Sequence, residues 1–173
     1  MRPPRSRARR DNGKVHAMTT TEKKKRLRVT VKRALCLGCR SCELACGLAH
    51  SDAGDLKTAI RTGKKLEHRI RLSTKDGKPV PVICMHCAKP ACVAACPEGA
   101  LSRAGEGEPV LLDSDKCIGC KKCIEACPFG AITVASDGKT ILKCDLCAER
   151  RADGKEPACV SACPTHALTF DNK

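Results

Sequence analysis

Large apolar side chains are scarce in this chain. Its 173 residues include no tryptophan and no tyrosine, and only two phenylalanines, Phe129 and Phe170. The hydrophobic share of 42% counts sixteen cysteines, so the other apolar residues make up about a third of the chain. Such a chain buries little area for its length and needs internal staples. Without aromatics it has no platform on which bases stack, which argues against sequence-tolerant strand binding. Long apolar runs are missing too. Nothing approaches the roughly 20 residues that cross a bilayer, so no segment reads as a membrane anchor. The N-terminus is basic (Arg2, Arg5, Arg7, Arg9, Arg10). No apolar stretch follows it, so neither a secretory nor a twin-arginine signal is expected. Glycine-rich phosphate loops are absent; Gly105-x-Gly107 is too short a signal and falls in a hairpin loop.

Cysteine is what the chain has in excess. The sixteen fall into four groups, each closing with Cys-x3-Cys: Cys36, Cys39, Cys42, Cys46; Cys84, Cys87, Cys92, Cys96; Cys117, Cys120, Cys123, Cys127; and Cys144, Cys147, Cys159, Cys163. None is left over. Three frameworks compete for them. Disulfides need an oxidising compartment, and no export signal precedes them. Structural zinc uses two short-spaced knuckles or Cys/His pairs, and rarely three cysteines at x2–x2 spacing followed by x3. The first and third groups match the bacterial iron–sulfur run. Four groups of four thiolates are the ligand inventory for four [4Fe–4S] clusters, and the apo chain is expected to be largely unfolded. With every ligand position filled by thiolate, no iron is open to substrate and no cysteine is spare as a nucleophile.

The formal net charge of +14 looks like a nucleic-acid signal. Its distribution says otherwise. Residues 1–28 hold eleven Lys or Arg and two acids; the remainder holds 22 and 17. An oxidised cluster with four thiolates contributes about −2, so four bring the whole chain to about +6 and the body to about −3. The basic excess belongs to the extension. That segment lacks apolar periodicity and reads as disordered; Met18 offers an alternative start of translation. A role at an anionic surface is the functional reading of its charge.

From Leu27 onward the pattern reads as structured, and the folded domain is expected over residues 29–173. Arg28 to Arg33 alternates as a strand leading to Cys36. Ile70–Leu72 and Val80–Ile83 flank Asp76-Gly77, a hairpin turn signal. Leu101 and Val110–Leu112 flank the Gly105–Gly107 loop, Ala131–Val134 and Thr140–Leu142 flank Asp137-Gly138, and Ala167–Phe170 closes the chain. Short helices are expected over Glu43–Ala49, Cys92–Cys96 and Cys123–Cys127, with small residues (Ala45, Ala94, Ala95, Ala126, Ala162) in the x3 spacers. Three groups end alike, in Cys96-Pro97-Glu98-Gly99-Ala100-Leu101, Cys127-Pro128-Phe129-Gly130-Ala131-Ile132 and Cys163-Pro164-Thr165-His166-Ala167-Leu168. Proline there stops the helix and turns the chain into the next strand. Gly47 departs from that pattern after Cys46, and His166 stands where the others have glycine. His50, His68, His86 and His166 read as surface or packing histidines; His86, between two cysteines, is placed to tune a cluster by hydrogen bonding. Lys116, Lys121, Lys122 and Lys143 either raise a potential and dock an acidic partner or are plain solvated lysines.

In two-cluster ferredoxins three cysteines of a run bind one cluster and the fourth reaches the other. Four groups imply two such pairs, and spacing alone leaves the partners open. The order of x2-x2-x3, x2-x4-x3, x2-x2-x3 and x2-x11-x3 runs resembles four-cluster ferredoxin-like subunits of molybdopterin oxidoreductases, formate dehydrogenases, hydrogenases and carbon monoxide dehydrogenases. Lys143-Cys144-Asp145-Leu146-Cys147 with Pro157-Ala158-Cys159 and Ala162-Cys163-Pro164 looks like that family's fourth motif. The run from Cys36 to Cys46, followed by Ala49-His50-Ser51, is most similar to the iron–sulfur partner of carbon monoxide dehydrogenase. The resemblance covers residues 29–170. It implies an α+β fold of two bacterial-ferredoxin-like dicluster modules, with short strands, hairpins and helices wrapped around four clusters. The inner module spans about residues 80–142, and the outer about 29–60 plus 143–170. It also implies crossed ligation: Cys84, Cys87, Cys92 and Cys127 on one cluster; Cys117, Cys120, Cys123 and Cys96 on the next; Cys36, Cys39, Cys42 and Cys163 on a third; Cys144, Cys147, Cys159 and Cys46 on the fourth.

The expected function is electron relay without chemistry of its own, between a catalytic redox subunit and an acceptor. The partner is expected to be a carbon monoxide dehydrogenase, a hydrogenase or a molybdopterin enzyme, with a membrane subunit as a further candidate. The expected location is the cytoplasm, peripheral at the inner membrane face through a complex. No nucleic-acid partner is expected. The competing class is an iron–sulfur redox sensor or nucleic-acid binder that uses the basic extension.

Overall fold

In a computed structural model, residues 26–171 are described. The basic extension up to residue 25 lies outside them, and so does its expected disorder. Arg28, assigned above to the extension, is already the first residue of a strand.

Among the described residues the chain builds eight short strands and six short helices. In order they are β1 (Arg28–Val31), a 3-10 turn (Arg33–Leu35), α1 (Ser41–Ala49), α2 (Leu56–Arg61), β2 (Arg71–Lys75) and β3 (Lys78–Val82). Then come α3 (Ala91–Ala94), β4 (Leu101–Arg103), β5 (Val110–Leu112), α4 (Lys122–Glu125), β6 (Ile132–Val134) and β7 (Ile141–Lys143). The chain ends with α5 (Ala148–Ala152), α6 (Ala158–Ser161) and β8 (Leu168–Asp171). This is a small mixed α+β architecture.

The strands pair only in twos, all antiparallel: β1 with β8, β2 with β3, β4 with β5 and β6 with β7. Asp76 and Gly77 both take positive φ, 51° and 71°. That is the twist a two-residue hairpin between β2 and β3 requires. Pro79 and Pro81 lack N–H groups at alternate positions of β3, which blunts one edge against further pairing. The β1–β8 ribbon joins opposite ends of the chain, with Val29 opposite Phe170 and Val31 opposite Leu168. Two-stranded ribbons are marginal alone. What they frame supplies the cohesion: each cysteine group is entered from one strand and followed by another.

Two small cores result. One gathers Val29, Ile70, Ile83, Leu146, Val160 and Leu168 with Cys42, Cys46, Cys84, Cys144 and Cys159. The other gathers Leu101, Val110, Ile132 and Ile141 with Cys123. Both are part apolar side chain and part thiol, as the composition demanded. The expected strands and helical turns all appear, while α2 and α5 were not anticipated. Asp55 starts α2 by accepting from Thr58 N–H (2.9 Å).

Candidate metal centre

The cysteine loops come in two backbone forms. In the first and third groups, Gly38 and Gly119 (φ 72° and 69°) are left-handed, as are Arg40 and Lys121 (60° and 63°) just before α1 and α4. A Cβ on Gly119 would lie 2.6 Å from the Lys139 carbonyl oxygen, so only glycine fits. In the second and fourth groups, His86 and Leu146 are the equivalent left-handed residues (43° and 60°). Curling of this kind turns backbone N–H groups inward, the arrangement that cradles anions. The N–H of His86 donates to Cys84 Sγ (3.5 Å) and that of Leu146 to Cys144 Sγ (3.4 Å). Arg69 N–H donates to Cys46 Sγ (3.2 Å) and Ala131 N–H to Cys127 Sγ (3.4 Å).

Cysteines from different groups meet. One pocket is lined by Cys84, Cys87, Cys92 and Cys127, with His86 and Phe129. A second is lined by Cys96, Cys117, Cys120 and Cys123, with Ile118. In the outer part of the chain the loop after Cys163 sits on the turn that leads into Cys36: Thr165 Oγ1 donates to Leu35 O (2.7 Å), and Lys32 N–H donates to Ala167 O (2.8 Å). Cys159 is pushed up by burial and then by the neighbouring charges of Cys144, Cys46, Cys147 and Cys42. Cys144 is pushed up by burial, with Cys84 and Cys46 adding to it.

Four thiols drawn from two groups line each of these pockets, a donor set that suits a thiolate-bound cluster. Burial pushes the Cys42 and Cys123 thiols up to about 11, so these sites favour thiolate only where a bound cation offsets the burial. The surroundings also ask for negative charge. Lys143 is buried, and its ammonium donates to the carbonyls of Val110 and Cys144. Arg103 clasps the second loop, donating to His86 O (2.9 Å) and Cys87 O (2.6 Å). Among the described residues neither cation has a carboxylate partner. His86 Nε2 and Arg103 Nε are buried without a hydrogen-bond partner. A thiolate-bound iron–sulfur core would carry the compensating charge.

The fourth loop is built differently. His50 Nδ1 lies 2.7 Å from Cys46 O and its Nε2 lies 3.0 Å from Asp145 Oδ1, while Arg69 pairs with Asp145 Oδ2 (2.7 Å). Both His50 partners are acceptors, so the ring is a cation held between them. Burial would lower its pKa, but the bonds to Asp145, Cys147 and Cys46 outweigh that and raise it to about 12. Burial likewise opposes ionisation of Asp145, and His50 with Arg69 overcomes it, holding the carboxyl well below its usual range.

Several side chains differ from their sequence reading. Lys116, Lys121 and Lys122 are exposed, but Lys143 is buried. His68 and His166 are exposed; His86 is 1% exposed and is no surface residue. His166 takes the left-handed φ of Gly99 and Gly130 (52° against 60° and 56°), so that substitution keeps the turn. Gly47 has its own reason: α1 runs on past Cys46, and a Cβ there would lie 2.8 Å from Leu66 Cβ. Arg69, Arg103 and Asp145 escaped the sequence reading, since no spacing rule marks an isolated arginine.

Paired cysteine loops whose thiols gather from two groups define an iron–sulfur protein of the ferredoxin kind. The chain belongs to the 4Fe-4S dicluster family: residues 76–173 match the model described as 4Fe-4S dicluster domain, and residues 33–49 match a 4Fe-4S binding domain. It is 44% identical over 147 residues to an "Iron-sulfur protein" of Rhodospirillum rubrum, covering 77% of this chain and 75% of that one. It is 37% identical to the B subunit of anaerobic dimethyl sulfoxide reductase of Escherichia coli (strain K12), over 78% of this chain and 68% of that one. It is 32% identical to the "Formate dehydrogenase-O iron-sulfur subunit" of the same strain, over 80% of this chain and half of that one. The protein thus carries multiple [4Fe–4S] clusters. Among the described residues no helix is long and apolar enough to cross a membrane.

Proposed function

We propose that this chain relays single electrons between a catalytic oxidoreductase subunit and an acceptor, through four [4Fe–4S] clusters ligated crosswise between two modules. The observation that carries the reading is the mixing of groups: Cys127 lines the cavity of Cys84, Cys87 and Cys92, and Cys96 that of Cys117, Cys120 and Cys123. By the same pattern Cys163 joins Cys36, Cys39 and Cys42, and Cys46 joins Cys144, Cys147 and Cys159. The bonds that seat the Cys163 loop on the turn before Cys36, and the closeness of Cys46 to Cys159 and Cys144, support those sets. Such clusters supply one-electron storage, at potentials set by exposure, charge and hydrogen bonds to sulfur.

The protein's own residues support an order for the four sets. The charge of Cys42 bears on Cys159, that of Cys84 on Cys144, and that of Cys92 on Cys123. This proximity favours a single row of the four sets. Its two ends are the sets that include Cys39 and Cys120, the two exposed cysteines. Beside them stand Leu37 and Ile118, exposed at 72% and 65%. An apolar residue next to an exposed ligand is what a docking partner covers when it shortens a transfer distance.

The relatives named as subunits of dimethyl sulfoxide reductase and of formate dehydrogenase support a catalytic oxidoreductase as partner. The first cysteine run favours a carbon monoxide dehydrogenase type, with hydrogenase and molybdopterin types as the other candidates. A membrane subunit reached from the cytoplasmic face fits a chain that works within a complex. Anaerobic purification tests the reading: about sixteen iron and sixteen sulfide per chain, with a redox enzyme co-purifying, support it. Iron near eight, or a fully loaded chain that neither accepts nor passes electrons, overturns it.

A further inference from the structure

The second and fourth cysteine loops share a backbone and differ at one buried position. His86 and Leu146 both sit third in Cys-x-x-Cys, both take positive φ, and both donate their backbone N–H to the first cysteine sulfur. Both are essentially inaccessible, at 1% and 0% exposure. One is an imidazole and the other an alkyl chain.

The tautomer of His86 follows from its contacts. Val110 N–H donates to Nδ1 (3.0 Å), so Nδ1 presents its lone pair and the single ring proton is on Nε2. The ring is therefore neutral and keeps one N–H. That Nε2 has no partner among the described residues. His86 is among the residues that line the pocket of Cys84, Cys87, Cys92 and Cys127. A buried donor left unmatched is costly, and protein interiors avoid it. The acceptors expected in this cavity are the sulfurs of the cluster and of its thiolates.

We infer that His86 Nε2–H donates a hydrogen bond to a sulfur of the cluster held by Cys84, Cys87, Cys92 and Cys127, and so raises that cluster's reduction potential above that of the cluster beside Leu146. The inference rests on the ligand set proposed above. Its physical basis is that reduction adds one negative charge to the cluster, and a hydrogen bond to sulfur stabilises the more negative state. The proton stays on Nε2 throughout, so the effect does not depend on pH near neutrality. His86 is a positioning residue, acting on the cluster's electrostatics without ligating iron. The internal repeat supplies the control, because Leu146 shows that a leucine fits this backbone.

The test is a potentiometric EPR titration of the anaerobically purified full chain, comparing wild type, His86→Leu and His86→Gln. With sixteen iron retained, His86→Leu is expected to shift one midpoint negative by about tenfold in its reduction equilibrium, about 59 mV for a one-electron couple, leaving three unchanged. His86→Gln, which keeps an acceptor and a donor, is expected to restore part of the shift. Four unchanged midpoints in a fully loaded His86→Leu protein overturn the inference while the four-cluster reading stands. If leucine costs the chain its iron, pulsed EPR on 15N-histidine-labelled protein reads the same contact. A nitrogen coupling present in wild type and lost in His86→Gln supports it, and identical spectra overturn it. Wild-type protein lacking the cluster of the second group removes both the reading and the inference.

Discussion

The loops around Cys84 and Cys144 have the same curled backbone and differently built electrostatic surroundings. In the inner loop the donors converge on the site: His86 Nε2–H, Arg103 wrapped around the loop carbonyls, and buried Lys143, with no carboxylate paired to either cation among the described residues. In the outer loop a carboxylate, Asp145, stands next to the first cysteine, already neutralised by His50 and Arg69. Equal thiolate ligation is thus placed in unequal fields. Spacing marks the cysteines, and the buried neighbours distinguish one loop from another. The inner site is the one expected at the higher potential.

The comparison breaks most completely if the metal is removed. Stripping iron should unfold both modules, because the apolar cores are shared with cysteine and the ribbons are two-stranded; far-UV circular dichroism should collapse. An apo chain that keeps its spectrum would show that the ribbons stand alone. Next in size is crossed ligation. Cys127→Ala should take away the cluster of the second group, and Cys96→Ala that of the third, each lowering iron from about sixteen to about twelve, with distinct EPR signals lost.

Lys143→Met tests the field itself. Its ammonium donates to Val110, which lines the inner cavity, and to Cys144, and it opposes the upward shifts of Cys92 and Cys144. Removing the charge should drive two midpoints negative, by on the order of 1–3 kcal/mol per electron at an effective dielectric near 20. His86→Leu should shift only one. Glycine substitutions then separate the modules by stability. Gly119→Ala meets backbone at a positive φ and should release inner iron first, while Gly47→Ala meets Leu66 and should loosen the outer module, each costing about 1–3 kcal/mol. Iron release followed by absorbance reads the order. The smallest effect belongs to a helix away from the cysteine loops. Asp55→Ala removes the cap of α2 and should cost about 1 kcal/mol of local stability, leaving all midpoints in place.

The sequence was most readable where chemistry demands rigid spacing. Sixteen cysteines in four groups announced the metal, and Asp76-Gly77 and Asp137-Gly138 announced their hairpins because each turn needs left-handed glycine. The β1–β8 ribbon pairs Arg28 with Asp171, a contact no local pattern encodes. Lys143 and His86 were left between two readings for a related reason. A lone lysine or histidine is ordinarily solvated, and what buries these two is a partner surface more than twenty residues away, at Val110. Propensity also understated α2 and α5, which are held by a cap and by loop contacts rather than by an apolar stripe.

The central claim is that each cluster takes its fourth ligand from another group. Iron-edge anomalous diffraction from crystals of the anaerobically purified protein tests it directly. Four cubane peaks are predicted, with Cys163 on the cluster of Cys36, Cys39 and Cys42, and Cys46 on that of Cys144, Cys147 and Cys159. Cys127 should complete the cluster of Cys84, Cys87 and Cys92, and Cys96 that of Cys117, Cys120 and Cys123. Peaks in which each group of four closes on its own cluster, or fewer than four peaks in fully loaded protein, would contradict the account.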